Sequence, residues 1–243
     1  MRLSDKRIVI TGAGSGIGRA CARRAAAEGA RVALVGRRAA ALEETARDWP
    51  EDAAEPLEIP CDVGLEGAVS ACFDAVAAEW GGVDGLVTAA AVFRGASFAE
   101  LPLDDWEEVL RTNLTGVFLC CREAVRRMGP GGAIVNVGSL SGIPGVQKFP
   151  GFAAYNVSKY GVLALTEIVA LEGGARGIRC HGVAPGAVDT AMLAAAAPGL
   201  PPAMSPEAVA RAVVFLLSDE GAPAHGSTLV LNGDPAGKGG GES

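Results

Sequence analysis

A chain of 243 residues with a net charge of −7 is long enough to bury a substantial core, and its scattered basic residues exclude the basic stripe that nucleic-acid binding requires. Hydrophobic residues make up 49% of the chain, yet no uncharged apolar run reaches the length of about 18 residues that a membrane span needs. The opening MRLSDKRIVITGAG lacks the pattern of a signal peptide, so we expect a soluble, cytoplasmic protein with no nucleic-acid or membrane partner.

Short apolar runs alternate along the chain with longer amphipathic stretches. Seven strands are predicted, at 7–12, 31–36, 56–60, 84–89, 132–138, 178–184 and 227–232. Helices are predicted between them, at 16–29, 39–48, 66–80, 104–128, 153–172 and 206–218. The alternation predicts an α/β protein: a doubly wound, seven-stranded parallel sheet with helices on both faces, forming a single domain over 1–235. We expect the Gly-rich end, 236–243, to be a flexible tail.

Cysteine and histidine offer little support for metal or imidazole chemistry. The six cysteines include no CxxC pair, and neither His181 nor His225 stands at a metal-ligand or catalytic-triad spacing. We therefore expect buried, reduced thiols, structural histidines and no metal site.

The junction of the first predicted strand and helix, VITGAGSGIGRA, is rich in glycine. Glycines there allow a tight turn and a close approach to a pyrophosphate, and the helix N-terminus offers N–H groups and partial positive charge. With 34 glycines in the chain such a spacing can arise by chance, but its place in the first βα unit predicts a dinucleotide site. The loop residues assigned to that site are Gly12, Ser15, Gly16, Ile17 and Gly18.

The spacing of this loop resembles the TGxxxGxG motif of the classical short-chain dehydrogenase/reductase family, which matches residues 11–18. The resemblance covers nearly the whole chain, as far as LNGD at 231–234. It implies a Rossmann fold, a nicotinamide cofactor and a homotetramer in which the helices at 104–128 and 153–172 pack against symmetry mates. Small residues such as Gly161 and Ala164 would permit that approach, although they could equally serve internal packing.

The end of the second strand bears on the choice between NADP and NAD. NAD sites usually have a carboxylate there, whereas this chain has Gly36 followed by Arg37. A guanidinium can chelate a 2′-phosphate, so the sequence favours NADP; alternatively, Arg37 and Arg38 only decorate a helix start. The resemblance implies that Asp62 and the Val63 backbone hold the adenine, although Asp62 could also cap the next helix.

The stretch AAYNVSKYG places Tyr155 four residues before Lys159, on one face of a predicted helix. A nearby ammonium favours a phenolate, so Lys159 could lower the pKa of Tyr155 and make it a usable acid and base. Chance could produce the pair, but the preceding strand would deliver a serine to the same crevice. The resemblance implies that this serine is Ser139 of GSLSG, with Ser141 as the rival, and that Tyr155 and Lys159 also contact the cofactor.

Two more segments complete the constellation that the resemblance implies. Asn113 of TNLTG would support a water-mediated proton relay to Lys159, although a polar residue inside a helix can instead bond backbone. In VAPGAVDTAM, Val188 and Thr190 would contact the nicotinamide carboxamide. The predicted reaction passes a hydride between the nicotinamide and the carbon of a secondary alcohol or ketone, while Tyr155 exchanges the proton.

Two departures from the family pattern concern the site. Where the family usually has N-N-A-G, this chain has TAAA at 88–91, which leaves Ala89 only its backbone to offer the adenosine. Tyr155 follows Ser139 by 16 residues, a longer spacing than is usual in the family. The extra residues fall in IPGVQKFPGFA, a loop that we expect to bulge over the pocket and shape the substrate site.

Other functions are weighed against this interpretation. An NAD-dependent alcohol dehydrogenase of the same family is one alternative, and a silent dinucleotide-binding sensor or scaffold is another. Retention of Asn113, Ser139, Tyr155 and Lys159 disfavours the silent protein. The segment expected to form a lid, AMLAAAAPGLPPAM at 191–204, is apolar and uncharged. It favours a small or medium apolar carbonyl compound over a phosphorylated or CoA-linked substrate.

Overall fold

The computed structural model describes residues 1–233, so the tail predicted at 236–243 lies outside the described residues. Seven parallel strands form one sheet in the order β3-β2-β1-β4-β5-β6-β7. Every predicted strand is present, and no strand boundary differs from its prediction by more than one residue. The strands are β1 Arg7–Thr11, β2 Arg31–Gly36, β3 Leu57–Pro60, β4 Gly85–Thr88, β5 Ala133–Val137, β6 Arg179–Pro185 and β7 Thr228–Leu231.

Helices cover both faces of the sheet, as the alternating pattern predicted. They are α1 Gly16–Ala27, α2 Ala39–Arg47, α3 Glu66–Trp80, α4 Leu103–Leu110, α5 Gly116–Arg127, α6 Ala153–Gly174, α7 Ala191–Ala196 and α8 Pro206–Leu217. Apolar residues of α1, α2 and α8 pack in the core on one face, and those of α3, α5 and α6 pack in the core on the other. The sheet is therefore buried on both sides, which explains why its central strands are apolar throughout.

The single helix predicted at 104–128 is wrong in one respect: a π-helical turn, Arg111–Thr115, separates α4 from α5. Asn113 lies in this turn and is fully buried. A π-turn inserts one extra residue per turn, which an apolar periodicity of helical type does not reveal, and such turns are frequent at functional sites.

Of two polar residues that precede helices, one caps its helix and the other does not. The Ser205 hydroxyl accepts a hydrogen bond from the Ala208 N–H at 3.3 Å, so Ser205 caps α8. Asp62 does not cap α3, because that helix begins four residues later, at Glu66. The carboxylate of Asp62 instead accepts from the Gly64 N–H at 2.9 Å and closes a local turn.

The cysteine side chains are buried, and the two histidine side chains form hydrogen bonds with the backbone. All six cysteines are buried, as predicted. His181 Nδ1 lies 3.0 Å from the Ala224 carbonyl oxygen, and His225 Nδ1 accepts from the Cys180 N–H at 3.2 Å. These contacts tie β6 to the segment that precedes β7, a structural role for both rings. Over residues 1–233, every helix is too short or too polar to cross a membrane.

Candidate active site

The site opens at the carboxyl ends of the strands, where the strand order reverses between β1 and β4. In parallel α/β sheets such a switch point leaves a crevice between the loops that follow the two strands. A cavity of about 150 Å³ lies on the side of β2 and β3, and one of about 730 Å³ lies on the side of β5 and β6. Both cavities share Gly12 and Ser15, so the glycine loop separates two halves of one elongated crevice.

The glycine loop has the shape of an anion cradle. Gly12 has a φ of +69°, and a Cβ added there would lie 2.7 Å from the Ala90 nitrogen. A Cβ at Gly18 would collide with the Gly12 carbonyl. Ser15 precedes α1 in extended conformation and makes no side-chain capping bond within the described structure. The first N–H groups of α1 are thus left for a ligand, and the loop fits a pyrophosphate.

Two residues that sequence reasoning missed hold this loop in place. The buried Thr45 hydroxyl donates to the Ala13 carbonyl at 2.8 Å. Arg19 Nη2 donates to the Gly14 carbonyl at 2.7 Å, and the same guanidinium pairs with Glu44 at 3.0 Å. Arg19 could have been noticed because it follows the last glycine of the motif. Nothing in the sequence singles out Thr45, which reaches the loop only through the packing of α2.

The smaller cavity gathers the residues assigned to the adenosine end. Its lining includes Gly36, Arg37, Arg38, Asp62 and Val63. Both arginines are exposed, and within residues 1–233 neither guanidinium donates to a protein acceptor. Their positive charge is therefore available to a ligand, and the lining offers no carboxylate at the end of β2.

The TAAA segment directs most of its polar groups into the protein. The N–H groups of Ala89 and Ala90 both donate to the Thr11 hydroxyl, at 3.1 and 3.2 Å. The Thr88 hydroxyl donates to Asn136 Oδ1 at 2.8 Å in the buried core. The Ala89 N–H is therefore not available to a cofactor, which leaves only its carbonyl. Ala89 lines the larger cavity and not the smaller one, where the adenosine was expected.

Ser139, Tyr155 and Lys159 meet in the lining of the larger cavity. Ser139 follows β5, and its hydroxyl accepts from the Ser141 N–H at 3.1 Å. Tyr155 and Lys159 lie one turn apart near the start of α6. Lys159 Nζ donates to the Val137 carbonyl at 2.7 Å and lies 5.7 Å from the centroid of the Tyr155 ring.

The two ionisable groups of this cluster are shifted by burial. Burial lowers the pKa of the Lys159 ammonium to about 8. Burial raises the pKa of the Tyr155 phenol, and the Ser139 hydroxyl only partly offsets that effect. The net pKa of Tyr155 is therefore raised in this structure, opposite to the lowered value expected beside Lys159. Loss of water outweighs the hydrogen bond from Ser139, and the Lys159 Nζ is directed to the Val137 carbonyl.

Asn113 bonds backbone, one of the two alternatives left open for it. Its Oδ1 accepts from the Val92 N–H at 2.8 Å, and its Nδ2 donates to the Val92 carbonyl at 2.9 Å. Its Nδ2 also lies 3.3 Å from the hydroxyl of Ser158, which donates to the Tyr155 carbonyl at 2.7 Å. Asn113 thus connects the segment after β4 to the helix that carries Tyr155 and Lys159. The relay to Lys159 stays a prediction.

The segment after β6 closes the crevice opposite the glycine loop. Val188 and Thr190 both line the larger cavity, as the resemblance implied. The Thr190 hydroxyl accepts from the Leu193 N–H at 3.2 Å and caps α7. The predicted lid is therefore partly helical. It returns to the body of the protein at Ala203, whose N–H donates to the Ala187 carbonyl at 2.8 Å.

The long loop between Ser139 and Tyr155 lies over the cavity, as predicted. Residues 143–152 form neither helix nor strand and contribute Val146, Gln147, Phe149 and Phe152 to the lining. We call residues 143–152 the insertion.

Comparisons with known proteins match this chain to reductases and dehydrogenases. Residues 12–233 match a family model described as enoyl-(acyl carrier protein) reductase. The chain is 38% identical to D-threitol dehydrogenase from Mycolicibacterium smegmatis, over 96% of this chain and 93% of that protein. It is 42% identical to a 3beta-hydroxysteroid dehydrogenase from Mediterraneibacter gnavus, over 78% of this chain and 68% of the relative. A solved short chain dehydrogenase from Burkholderia cenocepacia in complex with NADP is 32% identical with a TM-score of 0.88, over 96% of this chain and 98% of that one.

The buried ammonium predicts a stability effect for Lys159→Met. The folded pKa of about 8 lies below the ordinary value of 10.5, so the folded protein binds fewer protons between these two values. Burial of the charge then costs stability at pH 7, and this cost disappears as the pH rises towards 10.5. Lys159→Met removes this cost but also loses the hydrogen bond to the Val137 carbonyl. We expect the net result to be a free energy of unfolding at pH 7 that is higher by about 1 to 2 kcal/mol.

Urea unfolding at pH 7 and at pH 10 tests this expectation, with the advantage of the variant shrinking at the higher pH. Lys6→Met, at a lysine outside the crevice, is the control and should show no comparable trend. A Lys159→Met protein less stable than the wild type at pH 7 would contradict the cost assigned to burial.

Proposed function

Since this chain belongs to the short-chain dehydrogenase/reductase family, we propose that it is an NADP-dependent oxidoreductase that interconverts a secondary alcohol and a ketone. The observation that carries the proposal is the meeting of Ser139, Tyr155 and Lys159 in the cavity wall next to the glycine loop. When bound, the nicotinamide supplies or accepts the hydride. The relatives named above as dehydrogenases support an alcohol as the reduced substrate.

Ser139 and Tyr155 are assigned to the substrate oxygen. The Ser139 hydroxyl accepts a bond from the Ser141 N–H and bonds to the Tyr155 phenol. With substrate bound, its hydrogen would be donated to the oxygen of the ketone or alcohol instead. The raised pKa of Tyr155 keeps its phenol protonated at neutral pH. Tyr155 can therefore donate a proton to the oxygen during ketone reduction and recover it from the hydroxyl during alcohol oxidation.

Lys159 is assigned to the charge that develops on Tyr155. Its ammonium is fixed by the Val137 carbonyl, on the same helix as the tyrosine and one turn further along. A pKa of about 8 leaves most of the lysine protonated at pH 7, where its charge stabilises the phenolate formed during proton transfer. Asn113, bonded to Ser158 next to Lys159, would support the water-mediated relay that resupplies the proton.

The cofactor is assigned to the full length of the crevice. The glycine loop would take the pyrophosphate, because its glycines leave room and the start of α1 supplies N–H donors. Asp62 and Val63 would hold the adenine, and Ala89 would contribute its carbonyl. Tyr155 and Lys159 would also contact the cofactor. The nicotinamide end is assigned to Val188 and Thr190. The loop residues of the site are Gly12, Ser15, Gly16, Ile17 and Gly18.

The preference for NADP over NAD rests on charge at the end of β2. Gly36 supplies no carboxylate to repel a 2′-phosphate, and the exposed Arg37 lines the cavity with its guanidinium uncommitted within the described chain. NAD as the cofactor is the alternative, in which case Arg37 has no ligand.

An apolar, uncharged substrate suits the larger cavity. The lid contributes Met192, Leu193 and Leu200 to its lining. Two carboxylates, Asp189 and Glu207, also line it, and neither pairs with a cation within residues 1–233. The lining also includes the cations Arg19, Arg23 and Lys159, so its charge does not select against a phosphorylated or CoA-linked compound. The apolar side chains of the lid carry our proposal of a small or medium apolar ketone or alcohol.

A homotetramer is proposed from the outer faces of α5 and α6. Phe118 is 44% exposed, Ile168 is 52% exposed and Leu171 is 75% exposed, an apolar surface that association would cover. Gly161 serves internal packing instead, because a Cβ there would lie 2.7 Å from Leu114.

The assembly is tested by light scattering after size-exclusion chromatography. We expect a mass four times that of one chain, and a monomeric mass would refute the assembly.

Tyr155→Phe tests the proposed acid and base. Removal of the hydroxyl should lower ketone reduction by about a thousandfold, because the proton donor is lost while the ring remains. NADPH binding, measured by the enhancement of nicotinamide fluorescence, should persist. Tyr160→Phe is the matched control: Tyr160 is the only other tyrosine and does not line the cavity, and the variant keeps the ring beside Lys148 and loses only the hydroxyl bond to the Ile143 carbonyl. Undiminished turnover by Tyr155→Phe would exclude the assigned role, and a wild type that binds NADPH but turns over no ketone would favour the silent sensor.

Arg37→Ala tests the proposed phosphate contact. The variant should bind NADPH about 30-fold more weakly, which corresponds to about 2 kcal/mol for hydrogen bonds to a charged group, with little change for NADH. Arg47→Ala, which removes the same charge from the exposed end of α2, should leave both affinities unchanged. A wild type that prefers NADH would show instead that Arg37 only decorates the surface.

A further inference from the structure

Three phenylalanines from two segments of the chain form an aromatic wall in the larger cavity. The wall consists of Phe93, which follows β4, and Phe149 and Phe152, which belong to the insertion. The ring centroids of Phe93 and Phe152 are 4.6 Å apart, and those of Phe149 and Phe152 are 5.9 Å apart. Phe93 and Phe152 also stand 5.8 and 6.3 Å from the ring of Tyr155. The wall is therefore continuous with the proposed proton donor.

The wall presents ring faces and ring edges in different directions. Phe93 and Phe152 are inclined by 56°, Phe149 and Phe152 by 52°, and Phe152 stands at 88° to Tyr155. Phe149 lines the cavity yet keeps 46% of its surface exposed, an apolar area that a ligand could cover. Inclined aromatic rings make favourable face and edge contacts with another compact ring.

A rigid ring gains more from such a wall than a flexible chain does. A linear alkyl group must give up rotational freedom to lie against fixed phenyl rings, whereas a ring of equal carbon number has already lost that freedom. On the lid side, Met192, Leu193 and Leu200 supply adaptable apolar contacts.

Lys148 holds the insertion that carries two of the three phenylalanines. Lys148 Nζ donates to the carbonyls of Ile143 at 2.7 Å, Ser141 at 2.9 Å and Leu140 at 3.5 Å. The ammonium also lies 4.9 Å from the centroid of the Tyr160 ring, within cation–π range. The Tyr160 hydroxyl also donates to the Ile143 carbonyl at 3.2 Å, and together these contacts fasten the insertion to the turn that follows Ser139. Lys148 itself does not line the cavity.

We infer that the aromatic wall, positioned by Lys148, makes the cavity selective for a substrate that carries an alicyclic or aromatic ring next to its reacting carbon. The inference rests on the proposed function for the reaction, whereas the preference for a ring is a property of binding. Lys148 is a positioning residue, because it acts on the substrate only through the insertion.

Cyclohexyl methyl ketone and 2-octanone, which have equal carbon number, test the preference. Their dissociation constants are measured by saturation-transfer-difference NMR with NADP present, and their kcat/KM values by NADPH oxidation. The ring ketone should bind about tenfold more tightly than the linear one. Equal or tighter binding of 2-octanone would overturn the inference, whatever the activity.

Substitutions then locate the source of the preference. Phe152→Leu should reduce the ratio of the two affinities several-fold, since it keeps apolar volume and removes the ring. Lys148→Met keeps the aliphatic stem without the donors and should reduce the ratio too, mainly through the KM of the ring ketone. Lys148→Arg, which restores the charge and the donors, should retain it. An unchanged ratio in a folded Lys148→Met protein would overturn the role of Lys148.

The two proposals fail in different ways. If the ring ketone binds preferentially but neither ketone is reduced, the proposed reaction fails and the inferred preference stands. If both ketones are reduced with equal kcat/KM and bind equally, the reaction stands and the inferred preference fails.

Discussion

The loops after β1 and β4 press against each other at the point where the strand order reverses, and the Thr11 hydroxyl holds them together. It accepts the N–H groups of both Ala89 and Ala90, so two otherwise orphaned donors are satisfied without water. Gly12 has no side chain and lets the two backbones approach, because an added Cβ would lie 2.7 Å from the Ala90 nitrogen. Every other part of the crevice is arranged around this contact: the start of α1, the adenosine end and the wall that carries Tyr155.

Around that contact the protein buries ionisable groups at a cost. Lys159 and Tyr155 both lose water, which shifts the pKa of each towards its neutral form. The lysine is partly compensated by the Val137 carbonyl and the tyrosine by Ser139. Shifts of this kind concentrate at sites where a proton must move, and their cost in stability is a common feature of such sites. A second cation has a structural role nearby: Lys148 fastens the insertion, an irregular loop, above the reacting groups.

Much of the fold could be predicted because the signals are local. The strands of this sheet are buried on both faces, so each appears as a short apolar run bounded by turn residues, and the predicted boundaries hold to within one residue. The π-helical turn at Arg111–Thr115 could not be predicted, because the apolar periodicity continues through it. The sequence allowed Asp62 to cap α3, yet its carboxylate accepts a bond from the Gly64 N–H, two residues along the chain. Which of these two N–H partners a carboxylate takes depends on the backbone geometry, which the sequence does not display.

The sequence by itself determined the alternation of strands and helices, the glycine loop and the spacing of Tyr155 and Lys159 on one helix, because each follows from periodicity or from residue type at a fixed separation. The resemblance to the family, drawn from the same motifs, is confirmed by the comparisons. Only the tertiary structure decided which groups share one crevice. It set the direction of the Tyr155 pKa and brought Thr45 and Arg19 to the glycine loop. It also gathered Phe93, Phe149 and Phe152 into one wall. Burial and contact between distant segments arise from packing, and no local pattern encodes them.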